Sequence, residues 1–206
     1  MSEEVLKVMC VIGSSAASSA THSVIDYLRR GLVALGDSVD VFDPVKEPLA
    51  LFNPQSSFSA PGFPGLKQRV DHTDVFIFAT PDYHGSISST LKNFLDHFWN
   101  EFAGKLFAQV VCSHEKGLTV IDQLRTVARQ CYAWSMPYGL SFGPTDLTEG
   151  LITTESIARR IEMLVHDIHV YGAVLRRQRE IDLTGSAPSF LAASREQKTE
   201  RAATGS

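Results

Sequence analysis

Residues 5–21 read VLKVMCVIGSSAASSAT, and this stretch decides the fold. Its first eight residues, Val5 to Ile12, are apolar except for Lys7, as expected of a strand that is buried on both faces of a sheet. Only small residues follow, from Gly13 to Thr21, and apolar residues then recur at helical spacing up to Gly36. The stretch therefore predicts a strand, a tight turn and the N-terminus of a helix.

The same alternation of short apolar runs and helical patterns continues along the chain. Further strands are predicted at 39–42, 75–79, 106–112 and 136–142, and further helices at 66–72, 91–102, 121–131 and 155–175. Alternating strands and helices are typical of an α/β fold with a parallel sheet and helices on both of its faces. The chain therefore predicts a doubly wound α/β domain of five strands and five helices.

Two segments fall outside this alternation. Residues 44–64 contain five prolines and little periodicity, which indicates a long excursion, and excursions of this length usually carry function. Beyond Arg176 the sequence is rich in charged residues, Ser, Ala and Thr, with Phe190 and Leu191 as the possible anchors. We therefore predict a cofactor-binding domain at 1–175 and a polar tail, or an arm that embraces another subunit, at 176–206.

Composition limits the classes of partner. The formal net charge of −4 and the pI near 6.0 give no basic field for nucleic acid. The apolar run Val5 to Ile12 is too short to span a bilayer and lacks the flanks of a secretion signal, so neither a membrane partner nor export is expected. A cytoplasmic location follows by default, with the three cysteines reduced.

The loop from Gly13 to Thr21 is suited to a phosphate. It carries five hydroxyls, it leads into a helix N-terminus, and its small side chains let phosphate oxygens approach the backbone N–H groups. It contains no Lys or Arg, so dipoles and hydrogen bonds rather than a counter-charge would hold the anion. A plain strand-to-helix turn with an N-cap explains the same residues, and the loop alone does not decide between the two.

Other nucleotide and hydrolase motifs are missing. The turn is not GxGxxG, no Walker lysine follows, and Gly-x-Ser-x-Gly does not occur. The seven histidines lack ligand spacing with Cys or carboxylates, so no metal is predicted.

The loop after the third predicted strand is suited to a flat ring. Residues 81–86 read PDYHGS, which combines an aromatic pair with a glycine that lets the backbone lie against a ring. Because right-handed crossovers bring the loops after strands one, three and four to the same sheet edge, this loop and the phosphate loop should meet there. The alternative is that Pro81 ends the strand and Tyr83 is a half-buried packing residue.

Residues 79–96, ATPDYHGSISSTLKNFLD, resemble the signature of the NAD(P)H-dependent FMN reductase family, usually TPEYNGSIP followed by LKNAID. Gly13-Ser14 fits the family's phosphate loop and Gly104-Lys105 fits the usual start of its fourth strand, so the resemblance covers residues 5–145. It implies a flavodoxin-like doubly wound sheet of five parallel strands in the order 2-1-3-4-5, with FMN at its edge.

The resemblance also implies a function and a site. The chain would be an FMN-dependent oxidoreductase that passes electrons from NADPH or NADH to a small-molecule acceptor such as free flavin, a quinone, an azo compound or a metal ion. It would be a homodimer or homotetramer that uses helix 91–99. No side chain is expected to act as a general acid or base, because the cofactor carries the chemistry. The implied FMN contacts are Ser14, Ser19 and Thr21 at the phosphate, Pro81, Asp82, Tyr83, His84, Gly85 and Ser86 at the ring and ribityl chain, and Ser113 and Gly117 beside the ring.

Three departures from the family pattern leave alternatives open. Ala16 replaces the usual Arg of the phosphate loop, His84 replaces Asn, and His114 to Lys116 stand where a Gly-Gly pair is usual. An electron carrier or FMN sensor without turnover is the second hypothesis, although carriers usually have a strongly acidic docking face. A flavodoxin-like binding module that has lost flavin is the third.

Overall fold

Alternate residues of the central strands face two different cores. In the computed structural model, which describes residues 5–192 and 194–195, strand β1 (Lys7–Ile12) places Val8 and Cys10 in one core and Met9 and Val11 in the other. The first core is mainly aliphatic and the second is rich in phenylalanine. A strand that is apolar at every position is thus explained by burial on both faces.

The sheet and the helices follow in the predicted alternation. The other strands are β2 (Ser38–Phe42), β3 (Val75–Tyr83), β4 (Ser86–Ile87), β5 (Leu106–Cys112), β6 (Trp134–Ser135), β7 (Leu140–Phe142), β8 (Leu147–Thr148) and β9 (Leu151–Ile152). The helices are α1 (Ala20–Ala34), α2 (Phe63–His72), α3 (Ser89–Asp96), α4 (Leu118–Gln130) and α5 (Glu155–Thr184), with 3₁₀ turns at Ser57–Ser59, Asn100–Phe102 and Pro144–Asp146.

Strand order confirms the doubly wound topology. The parallel strands run β2-β1-β3-β5, and both β6 and β7 pair with the free edge of β5. This is the predicted order 2-1-3-4-5, with β6 and β7 together in the fifth place. Two short antiparallel pairs, β3 with β4 and β8 with β9, were not predicted from the sequence.

The fifth strand is not continuous, contrary to the prediction of one strand at 136–142. β6 pairs with Leu106 and Phe107, β7 pairs with residues 110–112, and residues 136–139 between them belong to neither strand. Pro137 has no N–H to give to a ladder. A Cβ on Gly139 would lie 2.9 Å from Ile121 Cδ1, so the backbone approaches helix α4 closely there.

Two helices end elsewhere than predicted. Helix α3 stops at Asp96, and a separate 3₁₀ turn covers Asn100–Phe102, where one helix to 102 was expected. Helix α5 continues to Thr184, nine residues past the predicted end, because its charged residues after Leu175 are good helix formers although they lack apolar periodicity. The first part of the predicted tail is therefore helical, and residues 193 and 196–206 of that tail lie outside the described part of the chain.

The excursion at 44–64 is held against helix α3 by one side chain. Asn93 Oδ1 accepts the Phe52 N–H at 2.7 Å, and Asn93 Nδ2 donates to the carbonyls of Leu49 (3.2 Å) and Ala50 (3.0 Å). The excursion is irregular except for the 3₁₀ turn at 57–59 and its last two residues, which begin helix α2. The hydrogen bonds to Asn93 satisfy backbone groups that lie near the core.

Candidate functional site

Direct hydrogen bonds join the three predicted loops at one edge of the sheet. The Gly13 N–H donates to the Ala79 carbonyl at 2.7 Å, and the Ser88 hydroxyl donates to the Gly13 carbonyl at 2.5 Å. The Ser113 hydroxyl donates to Asp82 Oδ2 at 2.8 Å. The loops after β1, β3 and β5 therefore meet, as the topology predicted.

Gly13 allows the first two loops to approach. A Cβ at this position would lie 2.9 Å from both the Ala79 carbonyl oxygen and Leu91 Cβ, and 3.0 Å from the Ser88 hydroxyl oxygen. Any larger residue would force β1 and β3 apart at the site. The glycine is thus required by close packing rather than by an unusual backbone angle.

The β1–α1 loop carries unpaired backbone N–H groups and has both exposed and buried hydroxyl residues. Residues 15–18 are exposed, whereas Ser14 and Thr21 are buried. Within the described chain, the N–H groups of Ser15, Ala17 and Ser18 have no protein acceptor, and that of Ala16 donates to Ser14 Oγ at 3.3 Å. The loop thus presents free donors just before the positive end of the α1 dipole.

Ser19 is the N-cap of α1 and is tied to two residues that the sequence reasoning missed. Its hydroxyl accepts the His22 N–H at 3.4 Å and is hydrogen-bonded to His22 Nδ1 at 2.8 Å. The other ring nitrogen, Nε2, lies 3.4 Å from Oδ2 of the buried Asp43 at the end of β2. Burial alone would raise the pKa of Asp43, but the Val45 N–H, Lys46 and His22 together lower it.

The predicted ring loop is a tight hairpin. Tyr83 pairs with Ser86, and the two residues between them, His84 and Gly85, have φ angles of 56° and 73°. Two consecutive positive φ angles define a type I′ turn, for which Asn-Gly is the preferred sequence. The backbone thus explains why the family usually has Asn where this chain has His84. Tyr83 is 56% exposed and is not the half-buried packing residue of the alternative reading.

Asp82 and Ser113 link the hairpin to the β5–α4 loop. Asp82 Oδ1 accepts the Gly85 N–H at 2.8 Å, and Ser113 Oγ also accepts the Glu115 N–H at 3.0 Å. Gly117, with φ of 58°, lies so close to β5 that a Cβ would be 2.7 Å from Val111 Cγ1. Asp82, Ser113 and Gly117 therefore set the spacing between the two loops.

Gln123 on α4 holds the hairpin through hydrogen bonds, and the sequence analysis did not identify this residue either. Its Oε1 accepts the Ile87 N–H at 3.1 Å, and its Nε2 donates to the Gly85 carbonyl at 3.2 Å and to Ser86 Oγ at 3.3 Å. Nothing in the sequence marks one polar residue of a helix as a support for a distant turn. His22 and Asp43 likewise belong to no sequence motif that would indicate their contacts with the β1–α1 loop.

A cleft of about 580 Å³ opens between the hairpin and the β5–α4 loop. Five predicted site residues line it: Asp82, His84, Gly85, Ser113 and Gly117. Pro81, Tyr83 and Ser86 belong to the same hairpin without lining the cleft, and the buried Ser14 and Thr21 lie at the neighbouring loop. Ser19 lines a second cavity of about 750 Å³, between the start of α1 and the β8–β9 hairpin.

Sequence comparison now identifies the family. Residues 6–145 match the family model described as NADPH-dependent FMN reductase. The chain belongs to this family. The match covers the three loops of the site and confirms the resemblance inferred from residues 79–96.

Curated relatives and solved structures agree with this membership. An FMN-dependent NADPH-azoreductase of Staphylococcus aureus is 31% identical over 97 residues, which cover 45% of this chain and 52% of the relative, so the chain spans about half the length of the curated relatives it matches. The flavoenzyme NAD(P)H:(acceptor) oxidoreductase FerB from Paracoccus denitrificans has a TM-score of 0.69 at 20% identity over 82% of this chain and 97% of its own. An NADH:FMN oxidoreductase (EMOB) in its apo form has a TM-score of 0.69 at 16% identity over 81% of this chain and 90% of its own. At these identities the structures support the flavodoxin-like fold.

Neither a membrane-spanning helix nor a metal-binding cluster occurs among the described residues. No helix among them is both long and apolar enough to cross a membrane. Residues 5–192 and 194–195 also contain no cluster of three or more His, Cys, Asp or Glu side chains that could hold a metal ion.

Proposed function

We propose that the chain binds FMN at the edge where the three loops meet and that it passes electrons from NADPH or NADH to a small-molecule acceptor. The observation that carries the proposal is the set of hydrogen bonds linking Gly13, Ala79 and Ser88 on one side and Asp82 and Ser113 on the other. They bring a loop of free N–H donors next to a cleft bounded by the hairpin. Membership of the NADPH-dependent FMN reductase family supports the same cofactor and donor.

The residues present fit FMN. The phosphate needs donors and no bulky side chains, and the loop at 15–18 offers exposed N–H groups, with Ser15 and Ser18 adding hydroxyls. The ring needs a slot with polar edges, and the cleft of about 580 Å³ is of the size of small-ligand sites. We propose Ser14, Ser19 and Thr21 as the part of the loop that shapes the phosphate site, with Ser19 held in place by His22.

The protein's own part in the reaction is to bind and position. When bound, FMN accepts a hydride from nicotinamide and releases electrons to an acceptor. The His84 N–H, which has no acceptor among the described residues, would be the hairpin's donor at the ring edge, where negative charge develops on reduction. Asp82 and Ser113 keep the hairpin at a fixed distance from the β5–α4 loop. Tyr83, exposed beside the cleft, provides apolar cover for a ring or for a second substrate.

The acceptor and the assembly are also proposals. Azo compounds, quinones, free flavin and metal ions are the acceptor classes expected from the resemblance, and the matched Staphylococcus aureus relative is named for azoreduction. We further propose a homodimer or homotetramer through residues 91–99, whose apolar side faces the chain's own core and whose outer side carries an ion pair and Trp99. The cytoplasmic location remains a prediction, which fractionation of the source cells would test.

A spectroscopic experiment tests the proposed function. The purified protein, saturated with FMN and free of oxygen, is mixed with NADPH or NADH while flavin absorbance is followed. Rapid bleaching is expected with at least one nicotinamide. Bound flavin that stays oxidised with both would exclude the reductase and favour the carrier or sensor, and failure to bind FMN at all would favour the binding module.

A charge substitution tests the phosphate loop separately. Ala17→Glu places a carboxylate in the exposed loop and is expected to weaken FMN binding by about tenfold or more, because it repels the phosphate. Ala17→Gln is the matched neutral control and should bind FMN nearly as well as the wild type. Titration with riboflavin, which lacks the phosphate, should show no difference between the two variants. Equal loss of FMN affinity in both would place the phosphate elsewhere.

A further inference from the structure

Helix α5 has apolar side chains on two opposite sides. Its inner side, which includes Leu164 and Ile168, packs into the mainly aliphatic core. Its outer side carries four apolar residues that are between 38% and 59% exposed: Met163, Val170, Val174 and Ile181. Because successive residues of an α-helix are turned by about 100°, these four side chains lie within about 40° of one another and face away from the core. We call them the outer stripe.

The outer stripe has the spacing of a coiled-coil seam. Its members follow one another at intervals of seven, four and seven residues. A helix with this spacing typically packs along a second helix, since its apolar side chains then interlock with those of the partner. At 1.5 Å per residue the stripe is about 27 Å long. Single exposed apolar side chains are ordinary, whereas a continuous row marks a contact with another protein surface.

Two charged residues lie in the same row. Asp167 follows Met163 by four residues, and Arg177 follows Val174 by three. The Tyr138 hydroxyl donates to Asp167 at 2.6 Å and lowers the pKa of this carboxyl, so Asp167 is charged at neutral pH. The exposed Arg177 guanidinium has no hydrogen-bond or ion-pair partner within the described part of the chain. It is therefore free to contact a carboxylate of another chain.

A second copy of the chain complements this row when the two helices run antiparallel. A two-fold axis at position 172 pairs residues that lie equally far on either side of it. The pairs are Met163 with Ile181, Val170 with Val174, and Asp167 with Arg177. Each pair occurs twice in such a symmetric contact. Every apolar residue of the outer stripe then meets an apolar residue, and every carboxylate meets a guanidinium.

The same charges disfavour a parallel pair of helices. In that arrangement each residue faces its own counterpart, so the two Asp167 carboxylates would meet and so would the two Arg177 guanidinium groups. Like charges that face each other are repulsive, and charges beside an apolar seam select the orientation of paired helices. Charge complementarity therefore identifies a second copy in antiparallel orientation as the occupant of the outer stripe.

We propose that α5 forms a two-fold, antiparallel contact with α5 of a second copy of the chain. The contact uses residues outside the stretch 6–145 that matches the family model. It is separate from the interface proposed at 91–99, because α3 packs into the phenylalanine-rich core and α5 into the aliphatic core on the other face of the sheet. Where both contacts form, the chain assembles into a closed tetramer. The tetramer thus rests on the assembly given with the proposed function, whereas the contact through α5 depends neither on that assembly nor on FMN.

Charge reversal tests the contact, with light scattering after size-exclusion chromatography as the readout. Arg177→Glu brings a carboxylate opposite the partner's Asp167 and is expected to halve the molar mass, from tetramer to dimer, or from dimer to monomer where 91–99 forms no contact. Asp167→Lys added to Arg177→Glu exchanges the two charges and should restore the wild-type mass. Glu180→Lys is the matched control and should keep that mass, because this exposed residue of α5 lies about 100° from the outer stripe.

Further variants test the apolar contact and its orientation. Asp167→Lys also removes the acceptor of the Tyr138 hydroxyl, so Val174→Asp provides an independent test at an exposed position and should likewise halve the mass. An oxidised mixture of Val170→Cys and Val174→Cys chains should form more disulfide-linked dimer than either variant alone, because these positions face each other only in the antiparallel pair. The wild type, with its own three cysteines, gives the background.

The outcomes separate this contact from the proposed function. A wild-type mass for both Arg177→Glu and Val174→Asp, an equal loss of mass in Glu180→Lys, or a monomeric wild type would overturn the contact. Stronger cross-linking of Val170→Cys alone than of the mixture would overturn the antiparallel orientation. Flavin that stays oxidised under NADPH in a chain that keeps its α5 contact would count against the proposed reductase alone.

Discussion

Lys105 is an almost fully buried lysine, 1% exposed, at the start of β5. Its ammonium donates to the carbonyls of Val70 at 2.7 Å and Asp71 at 2.9 Å, so it caps the last turn of α2. Burial, assisted by the nearby charge of Arg179, lowers the pKa of Lys105 to about 7 and outweighs the attraction of three nearby carboxylates. Because the pKa of Lys105 is lower in the folded chain than in the unfolded chain, the free energy of unfolding depends on pH.

Lys105→Met is expected to remove part of the pH dependence of stability. Between pH values of about 7 and about 10.4, the unfolded chain holds a proton on Lys105 that the folded chain has lost. The free energy of unfolding therefore rises with pH across this window. Urea unfolding at pH of about 7 and about 9 should show a larger gain for the wild type than for Lys105→Met.

Lys92→Met is the control for this experiment. Lys92 is exposed on α3 and paired with Asp96, so its loss should leave the pH dependence of the wild type unchanged. The same gain in stability for the wild type and both variants would contradict a depressed pKa at Lys105.

The sequence predicted which residues lie near the site, but it did not predict which of their side chains are exposed. The hairpin residues and Ser113 follow from the family signature and from the rule that loops after parallel strands meet. Which hydroxyl of the β1–α1 loop is exposed could not be predicted, because a loop has no periodicity to assign faces. The structure buries Ser14 and engages the Ser19 hydroxyl with His22. The roles assigned to these residues stay predictions.

At the scale of elements, helix α5 and the segment after it pack against the turn that precedes β5. Arg179 Nε donates to the Ala103 carbonyl at 2.9 Å, and Leu191 is only 1% exposed. A Cβ on Gly104, which has φ of 75°, would lie 3.0 Å from Leu191 Cδ1. The segment is thus docked mainly through the buried Leu191, at a glycine that combines a left-handed backbone with close packing, while Phe190 adds a half-exposed contact with the rings of Tyr132 and Trp134.

Leu191→Ala is expected to destabilise the fold by about 2 kcal/mol or more, because it leaves a cavity over Gly104. Phe190→Ala provides the comparison, since Phe190 is 44% exposed and its loss should cost clearly less. Chemical denaturation measures both. Equal effects of the two substitutions would show that Leu191 is not the anchor.

Elements were predictable where burial imposes a pattern. Central strands β1, β3 and β5 were placed where their apolar runs lie, although β3 continues to Tyr83, four residues past the predicted end at residue 79, because Asp82 and Tyr83 pair with β4. The broken fifth strand was not, because the apolar positions Met136 and Leu140 look like one strand while Pro137 interrupts its ladder. The extension of α5 was missed because a helix that lies partly in solvent needs propensity but no apolar stripe.

At the scale of the whole molecule, the proposed assembly would use a surface that the single chain leaves open. Helix α3 buries Leu91, Phe94 and Leu95, and beyond its end Trp99 is 60% exposed. Its indole N–H donates to the Gln130 carbonyl at 3.1 Å, which fixes the ring outside the core. A fixed and exposed indole is characteristic of a contact between subunits.

Trp99→Ala is expected to shift the oligomer toward monomer without unfolding the chain. Light scattering after size-exclusion chromatography measures the molar mass over a range of concentrations. Trp134→Ala, which removes the half-exposed tryptophan of β6, outside residues 91–99, should not change the assembly. An unchanged mass for Trp99→Ala, or a monomeric wild type, would refute the proposed interface.

The interrupted fifth strand has a consequence for behaviour at high concentration. An uncovered sheet border normally offers a row of amide and carbonyl groups on which foreign chains can grow into fibres. Here that border consists of a two-residue piece and a three-residue piece, separated by a segment containing Pro137. Too few consecutive groups remain at this border to seed such growth, so we expect foreign chains not to extend the sheet beyond β6 and β7.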